Sequence, residues 1–162
     1  MAAECLRRLD VAPGGDWRDI GCGTGAVTQA VLDVADPERV VGADPSDGYV
    51  RYARRHVTDA RARFVRADAM GLPFPDGRAS AAVSGLVLNF VPVPERAVAE
   101  TARIVRPGGT VAAYLWDYTG PRSWAAKGPR RRTSPHCRRS GTMPCASGCA
   151  LAFPSRPTGR SR

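Results

Sequence analysis

Short apolar runs alternate with amphipathic segments along the first 118 positions, and the alternation predicts strand and helix in turn. Residues 16–21, "DWRDIG", form a strand candidate that runs into a cluster of glycines. Residues 25–35 place Val27, Ala30, Val31 and Val34 at helical spacing. Residues 39–44, "RVVGAD", predict a second strand, and 47–57 a second helix opened by the cap signal Ser46/Asp47. A third strand is expected over 61–68, followed by a loop at 72–79 on account of its prolines and its Asp-Gly pair. The segment 80–91 begins as a continuous apolar run, as a strand buried on both faces does. Residues 94–105 predict an amphipathic helix with Pro94 at its start and "RPGG" (106–109) as its stop, and 110–118 a fifth strand. This order, with short connections, implies a parallel sheet with helices on both faces, a three-layer α/β/α sandwich.

After Thr119 the pattern ends. Residues 120–162 contain no Val, Ile, Asn, Gln, Tyr, Asp or Glu, and only Leu151 and Phe153 represent the large aliphatic and Phe set. Such a stretch has too little apolar surface to offset the entropy of ordering, so a disordered tail is expected behind a domain of residues 1–119. Charge divides at the same point. The net charge is +9, yet residues 1–119 hold 14 Arg against 15 acids, and the tail holds ten basic residues and no acid. The five cysteines are odd in number and irregularly spaced, which favours a reduced, cytoplasmic protein. No apolar run approaches the length of a membrane span, and "MAAECLRRLDVAPGG" lacks the pattern of a secretory leader. His136, Cys137, Cys145 and Cys149 lack the paired spacing of a zinc site, so no metal is expected.

Chemistry concentrates in "DIGCGTGA" (19–26), where three glycines alternate behind one carboxylate. A strand turning sharply into a helix leaves backbone N–H groups facing a ligand, and glycines let that ligand approach the main chain. Two ligands compete for this geometry. Gly21, Gly23 and Ala26, with Asp44 following, meet the dinucleotide fingerprint G-x-G-x-x-G/A. That leaves Gly25 and Asp19 unexplained, and a carboxylate beside a pyrophosphate is repulsive. A cationic ligand would welcome it.

Here the sequence resembles the class I S-adenosylmethionine-dependent methyltransferases of the type-11, small-molecule branch. Their first motif, D/E-x-G-x-G-x-G, is matched by Asp19, Gly21, Gly23 and Gly25, with Cys22 a small residue inside the turn. The resemblance implies that Asp19 helps hold the methionine ammonium and that the glycine turn passes beneath the amino-acid part. Asp44, followed by Pro45, is similar to the family acid that accepts from both ribose hydroxyls. Asp68-Ala69 resembles the pair that meets the adenine, and Ser84 to Asn89 the segment lying along the cofactor. "RIVRPGGTVAAYLWDY" resembles the helix, turn and fifth strand of that branch. The implied activity is methyl transfer from S-adenosylmethionine to a small-molecule acceptor, and no catalytic acid or base is identified. An NAD(P)-dependent oxidoreductase, or a non-catalytic remnant with a basic nucleic-acid-binding tail, are the alternatives.

Three departures from the family stand out. Arg18 lies inside the first strand, so it must snorkel or find a partner. The segment ahead of residue 4, where the family has a covering helical region, is short. The last two strands of the seven-stranded family sheet have no counterpart in 120–162, which leaves the fifth strand as an apolar edge open to self-association and the chain a poor catalyst. The tail itself has two explanations, a basic arm for nucleic acid or a stretch read out of frame from a GC-rich gene.

Overall fold

The elements run α1 (Ala2–Arg7), β1 (Asp16–Ile20), α2 (Ala26–Ala35), β2 (Arg39–Asp44), α3 (Asp47–His56), β3 (Ala62–Arg66), β4 (Ala79–Gly85), α4 (Pro94–Ile104), β5 (Val105–Leu115) and β6 (Cys149–Pro154), with a 3-10 turn at Leu88–Phe90. This computed structural model describes residues 2–9 and 11–115 with their side chains, and 149–154 as backbone alone. The strands form one sheet in the order β3-β2-β1-β4-β5-β6. β1 to β5 pair in parallel, and β6 lies antiparallel on β5. Because β1 lies between β2 and β4, the crevice where ligands of such sheets bind opens at its carboxyl end.

The two faces have separate cores. On one, Cys5 and Leu6 of α1, Val27, Val31 and Leu32 of α2, and Val50 and Ala53 of α3 pack against Trp17, Val40, Phe64 and Val83 of the sheet. On the other, Ala97 and Ile104 of α4 join Ala69 and Leu72 over Ile20, Ala43, Ala82 and Val111. The three layers expected from the sequence are present. The valine stripe of α2 faces the core because positions three and four apart share one side of a helix.

Three local features differ from the sequence-based expectation. "RPGG" does not separate α4 from the strand: β5 begins at Val105, directly behind the helix, and these residues bulge out where the pairing jumps from Ala79–Val105 to Ala81–Thr110. Gly108 takes the left-handed φ of 79° that this excursion needs. α1 was not expected, because six residues carry too little periodicity to be recognised; its burial of Cys5 and Leu6 comes from packing.

The third correction concerns the far edge. Cys149–Pro154 pairs with Thr110–Leu115, so the tail does supply a strand, and β5 is not the open edge from which self-association was expected. "CALAF" is a short apolar run that a preformed edge can recruit, and the composition of its surroundings obscured it. The basic stretch with its two explanations, and the side chains of the zinc candidates, lie outside the described residues.

Two arginines tie the second face together. The Arg18 guanidinium, 5% exposed, pairs with both oxygens of Asp16, donates to the Trp17 carbonyl at 2.9 Å and lies 5.0 Å from the centroid of the Phe74 ring. The departure at residue 18 is thus compensated by a partner. Burial alone would raise the Asp16 carboxyl, but its hydrogen bonds to Arg18 and Arg39 outweigh that and hold it below the ordinary range. Arg103 of α4 donates to the carbonyls of Leu72 at 3.0 Å and Phe74 at 2.9 Å, and pairs with Glu100 and Asp76. The loop 67–78, which has no helix of its own, is thereby bolted to α4.

Asp16→Ala strips the buried Arg18 guanidinium of its carboxylate, whereas Arg18→Leu leaves Asp16 with its second partner, Arg39. Asp16→Ala should therefore lower the unfolding free energy by about 3 kcal/mol, while Arg18→Leu should stay near neutral. Urea unfolding curves of the two variants check this, and Arg18→Leu proving as damaging as Asp16→Ala would contradict it.

Candidate functional site at the carboxyl edge

The chain leaves β1 at Ile20 and turns into α2 over five residues that are stitched to the end of β2. The N–H groups of Gly21 and Cys22 both donate to the Ala43 carbonyl, at 2.7 and 3.0 Å, and Gly25 N–H donates to Cys22 O at 2.8 Å. Gly23 N–H donates to Asp44 Oδ2 at 2.9 Å. The other oxygen of Asp44 accepts from Ser46 N–H at 2.8 Å, and Ser46 Oγ in turn accepts from Tyr49 N–H at the start of α3. Asp44 thus braces the glycine turn and the α3 start together, and each oxygen keeps a further lone pair.

The three glycines of the turn have different reasons to be glycine. A Cβ on Gly21 would lie 2.3 Å from Val87 Cγ2, and one on Gly25 2.8 Å from Val57 Cγ2. Both are reserved for packing within the chain. Only at Gly23 would a Cβ meet nothing within 4 Å. Gly23 is where a ligand can reach the main chain.

Asp19 lies beneath this turn, with no exposed surface. Its Oδ2 accepts from the Thr28 hydroxyl at 2.6 Å, and its Oδ1 has no hydrogen-bond partner among the described residues. Burial pushes its carboxyl up to about 7, against the lowering effect of the Thr28 hydrogen bonds and with help from the Asp44 charge. An orphaned, buried acid oxygen suits a cation and repels a pyrophosphate.

The remaining sequence candidates divide. Pro45, Asp68 and Asn89 are exposed near the same edge, and Ala69 is buried beside it. Asp68 accepts from Met70 N–H at 2.9 Å and is brought to the site because Ala67 N–H donates to the Asp44 carbonyl at 3.0 Å. The Cys22 side chain points inward against Gly42, and burial drives its thiol far above the ordinary range, so only its backbone faces the turn. Ser84 is buried and its hydroxyl donates to Ile20 O at 2.9 Å, clamping β4 to β1. Thr28 was missed, and Val87 was covered only as part of the segment Ser84 to Asn89. Val87 reaches Gly21 because Leu86 takes a left-handed φ of 62°, which an apolar run does not advertise. The signal for Thr28 was a lone hydroxyl on the buried stripe of α2.

Among the described residues, no group of three His, Cys, Asp or Glu side chains is placed to hold a metal ion, and no helix is long and apolar enough to cross a membrane. Two open clefts of about 540 and 500 Å³ lie elsewhere, the first between the end of α3 and β3, the second at the amino end of the sheet. None of the residues discussed above for the carboxyl edge lines either, apart from Val57 beneath Gly25.

A parallel sheet whose central strand feeds a glycine turn, with an acid at the end of the next strand, defines the Rossmann-like class of nucleotide-cofactor folds. Residues 18–113 match the methyltransferase domain of type 11, and the chain belongs to that S-adenosylmethionine-dependent family. It is 34% identical over 113 residues to the demethylmenaquinone methyltransferase of Symbiobacterium thermophilum, covering 65% of this chain and 44% of that one. The S-adenosylmethionine-dependent methyltransferase of Mesorhizobium loti superposes with a TM-score of 0.62 at 26% identity, over 72% of this chain and 53% of that one. The [4+2]-cyclase SpnF superposes with a TM-score of 0.64 at 29% identity, over 70% and 43%. The chain spans between 31% and 47% of the length of the curated relatives it matches.

The buried acid gives the free protein a characteristic pH response. Asp19 binds its proton more tightly folded than unfolded, so its effect on stability is absent below about pH 4 and increasingly destabilising as pH rises towards about 7. Asp19→Asn should flatten that part of the profile. Thermal melts between these limits test it, and an unchanged slope in the variant would contradict the assignment.

Proposed function

We propose that the chain binds S-adenosylmethionine across Gly23, Asp44 and the Asp68–Ala69 turn, and that it transfers the methyl group to a small organic acceptor. Gly23 carries the reading: of the three turn glycines it alone offers open backbone, and its N–H is held by the carboxylate that would meet the ribose. Family membership supports this cofactor over a nicotinamide dinucleotide, and so does the unpaired acid oxygen under the turn.

When bound, the cofactor supplies a methyl group on a sulfonium, open to in-line attack by a nucleophile. The residues of this chain act by holding and aligning. Asp44 Oδ1 and Oδ2, already fixed by Ser46 and Gly23, would accept from the ribose hydroxyls without reorganising. Asp68 and Ala69 present the bolted loop to the adenine edge. Asn89, exposed on the 3-10 turn, belongs to the segment that would lie along the cofactor. Pro45 sets the exit from β2, the Cys22 and Gly21 backbone form the floor of the turn, and Ser84 and Gly25 support it from behind. Such catalysis rests on proximity and orientation, and no acid or base of this chain is assigned to it. The binding unit is residues 1–119 with β6 added at its edge, and its free, buried Cys5 and Cys22 agree with a cytoplasmic location.

In calorimetric titration S-adenosylhomocysteine should bind, NADH should not, and Asp44→Ala should weaken the former by ~1–3 kcal/mol through lost charged hydrogen bonds. Labelled S-adenosylmethionine incubated with phenols, quinols, amines and thiols then identifies the acceptor class. Tight NADH binding with no heat from S-adenosylhomocysteine would overturn the proposal.

Gly23→Ala should keep the fold, at a cost of about 1 kcal/mol for a left-handed alanine, and lose cofactor affinity. Gly25→Ala should damage the fold itself, since its Cβ meets Val57. Comparing melting temperature with S-adenosylhomocysteine affinity for the two variants separates these outcomes. Equal loss of affinity per degree of melting temperature would contradict the division of labour.

A further inference from the structure

Thr28 has no part in the motif that marks the glycine turn, yet it makes the shortest contact to the acid beneath it. Its hydroxyl donates to Asp19 Oδ2 at 2.6 Å, and both residues are fully buried. Thr28 sits in the first turn of α2, so its backbone N–H also acts on the same carboxylate. The hydroxyl comes from the helix and the carboxylate from β1, and their bond fixes the carboxyl plane. One oxygen is thereby engaged and the other, Oδ1, is left without a partner.

The groups around Asp19 do not neutralise it. Asp44 at the end of β2 acts on it with like charge. Burial raises the Cys22 thiol of the turn and the Tyr114 hydroxyl of β5, the Asp19 charge adds to both, and Cys5 of α1 adds to the effect on Tyr114. Among the described residues these are all acidic or neutral groups. A buried carboxylate with no cationic partner holds its proton until a cation arrives.

Resting on the cofactor reading above, we propose that Thr28 is the positioning residue of the cofactor site: it orients Asp19 so that Oδ1 receives the cofactor's ammonium, directly or through one water, and the Asp19 carboxyl releases one proton as that cation enters. The balance is simple. The neutral carboxyl of the free protein becomes a carboxylate, the ammonium keeps its own protons, and the released proton goes to solvent. Thr28→Val removes the hydroxyl and keeps the shape, which leaves Oδ2 unpaired as well. Thr28→Ser restores the donor.

The test uses the full chain and two ligands, S-adenosylhomocysteine, which carries the ammonium, and adenosine, which lacks it. Thr28→Val should weaken S-adenosylhomocysteine about tenfold, the size of one lost charged hydrogen bond, leave adenosine unchanged, and recover in Thr28→Ser. In wild type, titrations in buffers of different ionisation enthalpy should show close to one proton released with S-adenosylhomocysteine near about pH 6, falling away above about pH 8, and none with adenosine. That wild-type measurement stands even where Thr28→Val fails to fold. Equal weakening of both ligands, no recovery in Thr28→Ser, or no proton release would overturn this inference while leaving the cofactor reading intact. No heat from either ligand would overturn both.

Discussion

The two oxygens of Asp44 accept from backbone N–H groups of different loops, Gly23 in the glycine turn and Ser46 at the start of α3. The rest of the carboxyl edge is positioned around that double acceptance. It fixes the height of the turn above the sheet, and with the two bonds from Gly21 and Cys22 to Ala43 it leaves Gly23 facing outward. The Asp44 carbonyl also accepts from Ala67, which brings the Asp68 turn to the same edge. Three loops from three adjacent parallel strands are thus gathered on one residue.

Beneath this surface the chain tolerates an unfavourable arrangement. Asp19 is fully buried, and among the described residues it has no counter-charge and its Oδ1 no hydrogen bond. Burying a carboxyl in this way costs free energy, and local strain or unsatisfied groups of this kind concentrate where a ligand completes the structure. The opposite solution appears on the other face of the same strand. Arg18, one residue earlier, is equally buried but has Asp16, a carbonyl and the Phe74 ring around it. Arg18 has its ion-pair partner although its Nε makes no hydrogen bond among the described residues, whereas Asp19 has no counter-charge among them.

Much of the fold was legible because a parallel sheet with two covered faces needs continuous apolar strands, and "RVVGAD" and "SAAVSG" supply them between helices of clear periodicity. The elements that were not legible depend on tertiary contacts. α1 is too short to signal itself, β6 needs the edge of β5 to exist, and the bulge at "RPGG" follows from how β5 meets β4. In the site, the acids announced themselves by standing at strand ends, but the glycines did not announce that two of them serve internal packing. Ser84 and Cys22 share this limit. A small polar residue in a motif has the same letter whether its side chain meets a ligand or, as here, the neighbouring strand.

We propose that the outward-facing backbone at Gly23, held by Asp44, is the ligand surface of this chain. Amide chemical-shift mapping with S-adenosylhomocysteine tests it most directly. The largest shifts should fall at Gly23, Ser46 and Met70, the amides that donate to Asp44 and Asp68, with smaller ones along 86–89. Shifts centred instead on the cleft between α3 and β3, around Arg54 and Arg63, with Gly23 unmoved, would contradict it.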